Sequence, residues 1–175
     1  MCAAPAISAP DEPAPFTVVN GHSSRPILLV CDHASRVIPR ALGDMGLDPL
    51  ALRCHLAFDI GAGALARALA DSLGTTAVLA GYSRLVVDCN RDLLDSGAFL
   101  EFGDGIVIPG NRRLTEADRK LRADAIYWPY HRAIAAEIRR LSSPGSLSTR
   151  APRVFSISER ATSVERRRFI VIASG

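Results

Sequence analysis

The residues able to do chemistry fall in short groups along the chain. Asp32, His33 and Ser35 close the apolar run Ile27–Cys31, and Arg84, Asp88, Asn90 and Arg91 flank a second apolar stretch. His55 and Asp59 surround the start of a periodic segment, and Tyr130 and His131 follow Pro129. A histidine beside a carboxylate can hold a metal ion or a proton. A guanidinium fork matches the two oxygens of a substrate carboxylate. Each residue also has a structural reading. His33 would cap a helix or bond a loop carbonyl, Asp59 would cap free N–H groups, Asp88 would pair with an arginine, and His131 would lie on a helix surface. Dinucleotide fingerprint, P-loop, GxSxG elbow and HExxH motif are all absent. Gly61-Ala62-Gly63 lacks a third glycine and follows no strand, so it reads as close helix packing.

The elements that must position these groups read as α/β. Ile27–Cys31 is uninterrupted by polar residues, as in a strand covered on both faces of a mostly parallel sheet. Ligands of such sheets lie beyond the carboxyl ends of the strands, where Asp32 and His33 fall. Residues 60–73 form the clearest helix, with Ala62, Leu65, Ala66, Leu69 and Leu73 on one face and Gly74 as its terminator. Phe16–Val19 reads as an edge strand, Thr76–Ala80 as a second apolar strand, and residues 83–88 as a third that ends at Asp88. Asp48-Pro49 opens a short helix to about His55. Residues 92–113 form a long Gly-rich loop of the kind that carries function. Thr115 and Asp118 form a capping box for a helix that turns Leu121 and Ala125 inward, with a break or kink at Pro129. Tyr130, Ile134, Ile138 and Leu141 line a further helix, residues 142–152 are a loop, and 153–157 a last strand.

With 48% hydrophobic and 22% charged residues, the 175-residue chain has the composition of one globular domain with a real core. A net charge of +3, much of it from arginines near the end, and few aromatics argue against a nucleic-acid partner. No run approaches the roughly 20 apolar residues of a membrane span. Four cysteines without CxxC or zinc-finger spacing read as free thiols in a reducing cytoplasm. Residues 1–15, rich in Ala and Pro and without a basic start, read as a flexible leader rather than a secretory signal. Nothing in the sequence sets the oligomeric state.

Together the strings VCDHASRVIP, HLAFDIGAGALARALA, YSRLVVDCNRD and YWPYHRAIAAEI resemble the N-formylglutamate amidohydrolase family in order and spacing, over about Pro26 to Ile157. The segments HAS-x-x-x-P, DIGA and SRLVVD-x-NR are specific as a set. The resemblance implies a phosphorylase/hydrolase-like three-layer fold similar to the zinc-dependent exopeptidases, a mixed, mostly parallel sheet with helices on both faces. It also implies hydrolysis of small-molecule N-acyl amino acids, N-formylglutamate above all, with zinc as cofactor. His33 would be a metal ligand, Asp59 the carboxylate ligand, and His55 its substitute. Arg84 and Arg91 would hold the substrate carboxylate, Asn90 and Ser35 would give neutral hydrogen bonds, and His131 would lie at the substrate.

The chain departs from the family pattern after Ile157. A Ser-Ile-His-Ser-like segment is expected there, yet Ser158, Glu159 and Arg160 follow Ser156-Ile157, and no histidine occurs after His131. Residues 158–175 match nothing in the family, so the domain is expected to be incomplete at its C-terminus, with a truncated or out-of-frame tail. A zinc site needs three protein ligands and a water, and the expectation is therefore a family member that turns over poorly. The alternative is a non-catalytic remnant that binds a small carboxylate.

Overall fold

The computed structural model describes residues 7–142, 153–160 and 168–174, with side chains for 7–142 and 153–157. A five-stranded mixed sheet forms its centre, with strands β1 (Phe16–Val19), β2 (Ile27–Cys31), β3 (Thr76–Ala80), β6 (Arg153–Arg160) and β7 (Arg168–Ser174). The spatial order is β1-β3-β2-β6-β7. The β2 strand lies parallel to β3 and to β6, while β1 and β7 pair antiparallel with β3 and β6. Register runs Leu28 to Thr76 on one side and Ile27 to Arg153 on the other.

The apolar run of β2 is buried on both faces, as its sequence requires. Leu28 and Val30 join one core with Val78, Tyr130, Ile126 and Leu141. Leu29 and Cys31 join a second core with Ala77, Leu79, Ile157 and the alanines of helix α1 (Ala62–Leu73). Alternate residues of a strand point to opposite faces, so one pentapeptide serves both layers. Ala62, Ala66 and Ala70 form the buried stripe of α1, and their small side chains bring the helix close to the sheet. Leu73, expected on that stripe, is exposed. Gly74 ends the helix in the left-handed region, φ 60°, its N–H turning back to Ala70 and Asp71.

The opposite layer is built by α2 (Glu116–Arg122), a π-helical turn (Ala123–Tyr127) and α3 (Trp128–Ser142). Thr115 Oγ1 accepts from the Asp118 N–H and the Asp118 carboxylate accepts from the Thr115 N–H, completing the expected capping box. The break expected at Pro129 is absorbed by the π-helical turn just before it. Proline has no N–H to give the preceding turn, so the wider turn accommodates it without ending the helix. Arg122, Ala123 and Ile126 are the buried residues here, while Leu121 and Ala125 are half-buried.

Other expectations give way. Residues 83–88 form no strand: Leu85, Val86 and Val87 are buried in a turn. The helix expected to follow Asp48-Pro49 is one 3-10 turn, Ala51–Arg53. Residues 92–113 hold 3-10 turns at Ser96–Phe99 and Pro109–Asn111 and the hairpin β4 (Phe102–Gly103) to β5 (Ile106–Val107). The described part of the Ala/Pro-rich leader is packed rather than free. Ile7 is buried, the Tyr82 hydroxyl donates to Pro13 O at 2.6 Å, and Gly81 N donates to Pro15 O. The β6 strand runs past Ile157 to Arg160. The loop expected over 142–152 lies outside the described residues from 143 on, as does the side chain of Glu159.

Candidate active site

Two parallel neighbours hold β2 in register, so Asp32 and His33 fall at its carboxyl end, the side of the sheet where such folds carry their ligand sites. His33 is only 4% exposed. Its Nδ1 lies 3.3 Å from Asp59 Oδ2 and its Nε2 2.7 Å from Asp88 Oδ1. Arg84 crosses both carboxylates, with Nη1 3.6 Å from Asp59 Oδ1 and Nη2 3.3 Å from Asp88 Oδ2. Both aspartates are buried, whereas the Arg84 side chain is a quarter exposed and forms the open side of the cluster.

Local structure fixes each member. Asp59 N donates to His33 O at 3.1 Å, so backbone and side chain both tie the two loops. Gly61, not Asp59, occupies the N-cap position of α1 and makes no side-chain cap bond; the Asp59 carboxylate is turned to His33 and Arg84 instead. The buried Ser83 hydroxyl donates to Ala57 O at 2.6 Å, joining the segment before Arg84 to the segment before Asp59. Asp88 accepts from the Asn90 N–H at 2.8 Å.

The electrostatics follow. Burial by itself pulls His33 down, but its bonds to Asp59 and Asp88 outweigh burial and Arg84 and push it up to about 9. Burial pushes Asp88 up, but His33, Arg84 and the Asn90 N–H together hold it below the usual carboxylate range. At neutral pH a protonated His33 therefore faces an ionised Asp88.

A second buried acid stands beside it. Asp32 accepts from the Tyr130 hydroxyl at 2.7 Å and from Ser156 Oγ at 3.3 Å. Burial pushes its pKa up, only partly offset by Tyr130 and His33.

The structure thus brings together His33, Asp59, Arg84 and Asp88 of the residues singled out in the sequence. Asn90 joins through its backbone, with its side chain exposed. Arg91 stands out in solvent, 3.4 Å from Asp95. Ser35 Oγ accepts from Val37 N and stabilises its own turn. His131 approaches Cys89 O at 3.1 Å and packs on Tyr127, ring centroids 4.2 Å apart. His55, expected as the substitute ligand, is on the surface 3.1 Å from Asp104 of the β4–β5 turn. Sequence reasoning gave Asp88 an arginine partner and missed His33 as its second. It missed the Tyr130–Asp32 bond altogether, since those residues are 98 positions apart.

A zinc ion of the kind the resemblance implies needs three protein donors besides a water. His33 and Asp59 face each other, but the second ring nitrogen is taken up by Asp88, and both carboxylates face Arg84. Among the described residues no group of three His, Cys, Asp or Glu side chains is placed to hold a metal ion. The described donor set does not fit zinc.

Fold and site together define an α/β domain with a buried histidine–carboxylate–arginine centre at the carboxyl end of a central parallel strand. The profile of the N-formylglutamate amidohydrolase family matches residues 25–151, and the chain belongs to that family. Among solved structures it is similar to gene product Atu2144 from Agrobacterium tumefaciens, with 35% identity and a TM-score of 0.79. That match covers 86% of this chain and 58% of the Atu2144 chain, so this chain spans well under two thirds of its relative. No curated protein matches.

Proposed function

We propose that this chain acts on N-acyl amino acids, cleaving the amide of N-formylglutamate or a close analogue, and does so slowly. The observation that supports the reading is His33 held between Asp59 and Asp88, with Arg84 across both, in a member of this family. Arg91 carries an exposed guanidinium close in sequence to Asp88 and takes the substrate carboxylate. Arg84 is fixed from behind by two buried carboxylates and turns its exposed side to the acyl oxygen. A preorganised cation there stabilises the negative charge that grows on the acyl oxygen as a water molecule adds to the amide carbon, before the C–N bond breaks and formate and the protonated amine leave. His33, held protonated, adds a second positive charge beside Arg84 to balance the two buried carboxyl groups. Asn90 and Ser35 give neutral hydrogen bonds at the rim, and His131 walls the side formed by Tyr127.

A second reading is favoured by one observation. The His33 proton is held to about 9, so its imidazole is a poor base at neutral pH. A site with cations for a carboxylate and no ready base binds without turning over.

The test is formate release from N-formylglutamate by the purified chain, run beside calorimetric binding of the same compound. Slow release, abolished by His33→Ala and weakened through KM by Arg91→Ala, is the expected result. Binding without release establishes the second reading. Absence of both overturns the assignment of this site.

A further inference from the structure

The Leu85–Asp88 segment is buried yet belongs to no sheet, and something must satisfy its backbone. A buried carbonyl without a donor is costly, so each needs a partner. Leu85 O accepts from Asn111 Nδ2 at 2.9 Å, and Val86 O from Arg122 Nη1 at 3.2 Å. The partners are side chains 26 and 36 positions away.

Those side chains form one unit. Arg122 Nη1 also donates to Asn111 Oδ1 at 2.6 Å, and Nη2 to Gly110 O at 2.8 Å. Asn111 Nδ2 reaches Leu100 O at 2.8 Å as well. Asn111 is fully buried and Arg122 only 4% exposed. A guanidinium keeps its charge in proteins, so burying it on neutral acceptors is expensive. An apolar side chain would fill that volume at lower cost, but it would not offer several donors in a rigid fork.

We propose that Asn111 and Arg122 are positioning residues of the candidate active site, holding the turn that aims Arg84 and Asp88. Their hydrogen bonds described above run to each other and to backbone carbonyls. They act by clamping the backbone at Leu85 and Val86, between the two residues that face each other across the turn at 3.3 Å. Arg122 is the last residue of α2, so the clamp transfers the rigidity of a helix to a loop. The proposal rests on the preceding reading for what the aimed groups do, but not for the clamp itself.

The test uses Arg122→Lys, which keeps the charge and loses the fork, and Asn111→Asp, which gains an ion pair with Arg122 but has no N–H for Leu85 O or Leu100 O. Amide hydrogen exchange over residues 84–90 is compared with that of β2 and β3. Local exchange should speed up by about tenfold or more in both variants, with the central strands unchanged. Formate release from N-formylglutamate should lose about tenfold or more in kcat with little change in KM. Unchanged exchange over 84–90, or equal acceleration in every strand, overturns the proposal. Should neither variant fold, the Arg122 guanidinium protons of the wild-type chain decide it: protection like that of the β2 amides supports the clamp, and free exchange overturns it. A wild-type chain that releases no formate refutes the catalytic reading, while the exchange comparison still decides the clamp.

Discussion

His33 Nε2 and Asp88 Oδ1 approach to 2.7 Å although they lie 55 positions apart, and both side chains are almost wholly buried. The contact joins the carboxyl end of a parallel strand to a turn that no strand supports. It also makes stability depend on pH. The folded state raises His33 to about 9, above an ordinary value near 6.5, so folding is favoured by its proton. That contribution is complete below about pH 6.5 and is lost as pH rises through 9. Its size is on the order of 3 kcal/mol. The lowered Asp88 acts at the other end, its contribution being lost as pH falls below the usual carboxylate range. Urea melts from pH 6 to 10 should show the alkaline loss, and Asp88→Asn should flatten it. A melt midpoint that does not move across that range refutes the assignment.

Asp32 behaves in the opposite sense. Burial raises its pKa, so the charged form opposes folding at neutral pH. Asp32→Asn keeps an acceptor for the Tyr130 hydroxyl and should be neutral or slightly stabilising at pH 7. Tyr130→Phe removes the donor and leaves a buried carboxylate short of a partner, at a cost of about 1–3 kcal/mol. Denaturant unfolding of the two variants should therefore rank Asn above Phe, and the reverse order would contradict the network.

Gly81 is constrained by its neighbour rather than by its backbone angle. A Cβ there would come 2.0 Å from Ala14 O, nearer than any van der Waals contact allows. Gly81→Ala should lift residues 13–15 from the end of β3, costing about 1–3 kcal/mol. Limited proteolysis should then cut first near residues 7–15. A variant as stable and as resistant as wild type would show that this packing contributes nothing.

His55 should be dispensable. Its pairing with Asp104 is exposed on both sides, and such pairs contribute about 0–1 kcal/mol. His55→Ala should leave N-formylglutamate binding and zinc content unchanged, as calorimetry and metal analysis can show. A loss of either would return His55 to the site.

Zinc retention should be poor. After incubation with excess zinc and desalting, the chain is expected to hold well under one equivalent, since two facing donors fall short of the three a zinc site needs. Stoichiometric zinc that disappears on His33→Ala would place the third donor outside the described side chains of residues 7–142 and 153–157.

What could be read in advance was what neighbours in sequence decide. The β2 run, the alanines of the α1 stripe with Gly74, and the Thr115–Asp118 box depend on periodicity or on residues three or four apart, and the structure bears them out, whereas Leu73 of that stripe is exposed. Residues 85–87 show where that fails. Leu85, Val86 and Val87 look like a strand because they are apolar, but their burial is achieved in a turn. The donors that make the turn possible, Asn111 and Arg122, carry no local signature linking them to it. The candidate site was half legible for the same reason. Strand ends pointed to His33 and to Asp88, whereas their direct contact, and the Tyr130–Asp32 bond, exist only once the sheet has formed.

The sheet order has a consequence for how the chain is made. The β2 strand finds β3 soon after it is synthesised, but its other neighbour, β6, begins only at Arg153. At roughly 5–20 residues per second, the central strand waits on the order of ten seconds with one edge unpaired. During that interval a nascent chain on the ribosome displays an apolar strand edge, the feature most prone to pair with other polypeptides. Yield in a cell is thus governed by how that edge is shielded during translation as well as by the stability of the finished fold. Slowing elongation between residues 80 and 153 should lower soluble yield more than slowing it elsewhere.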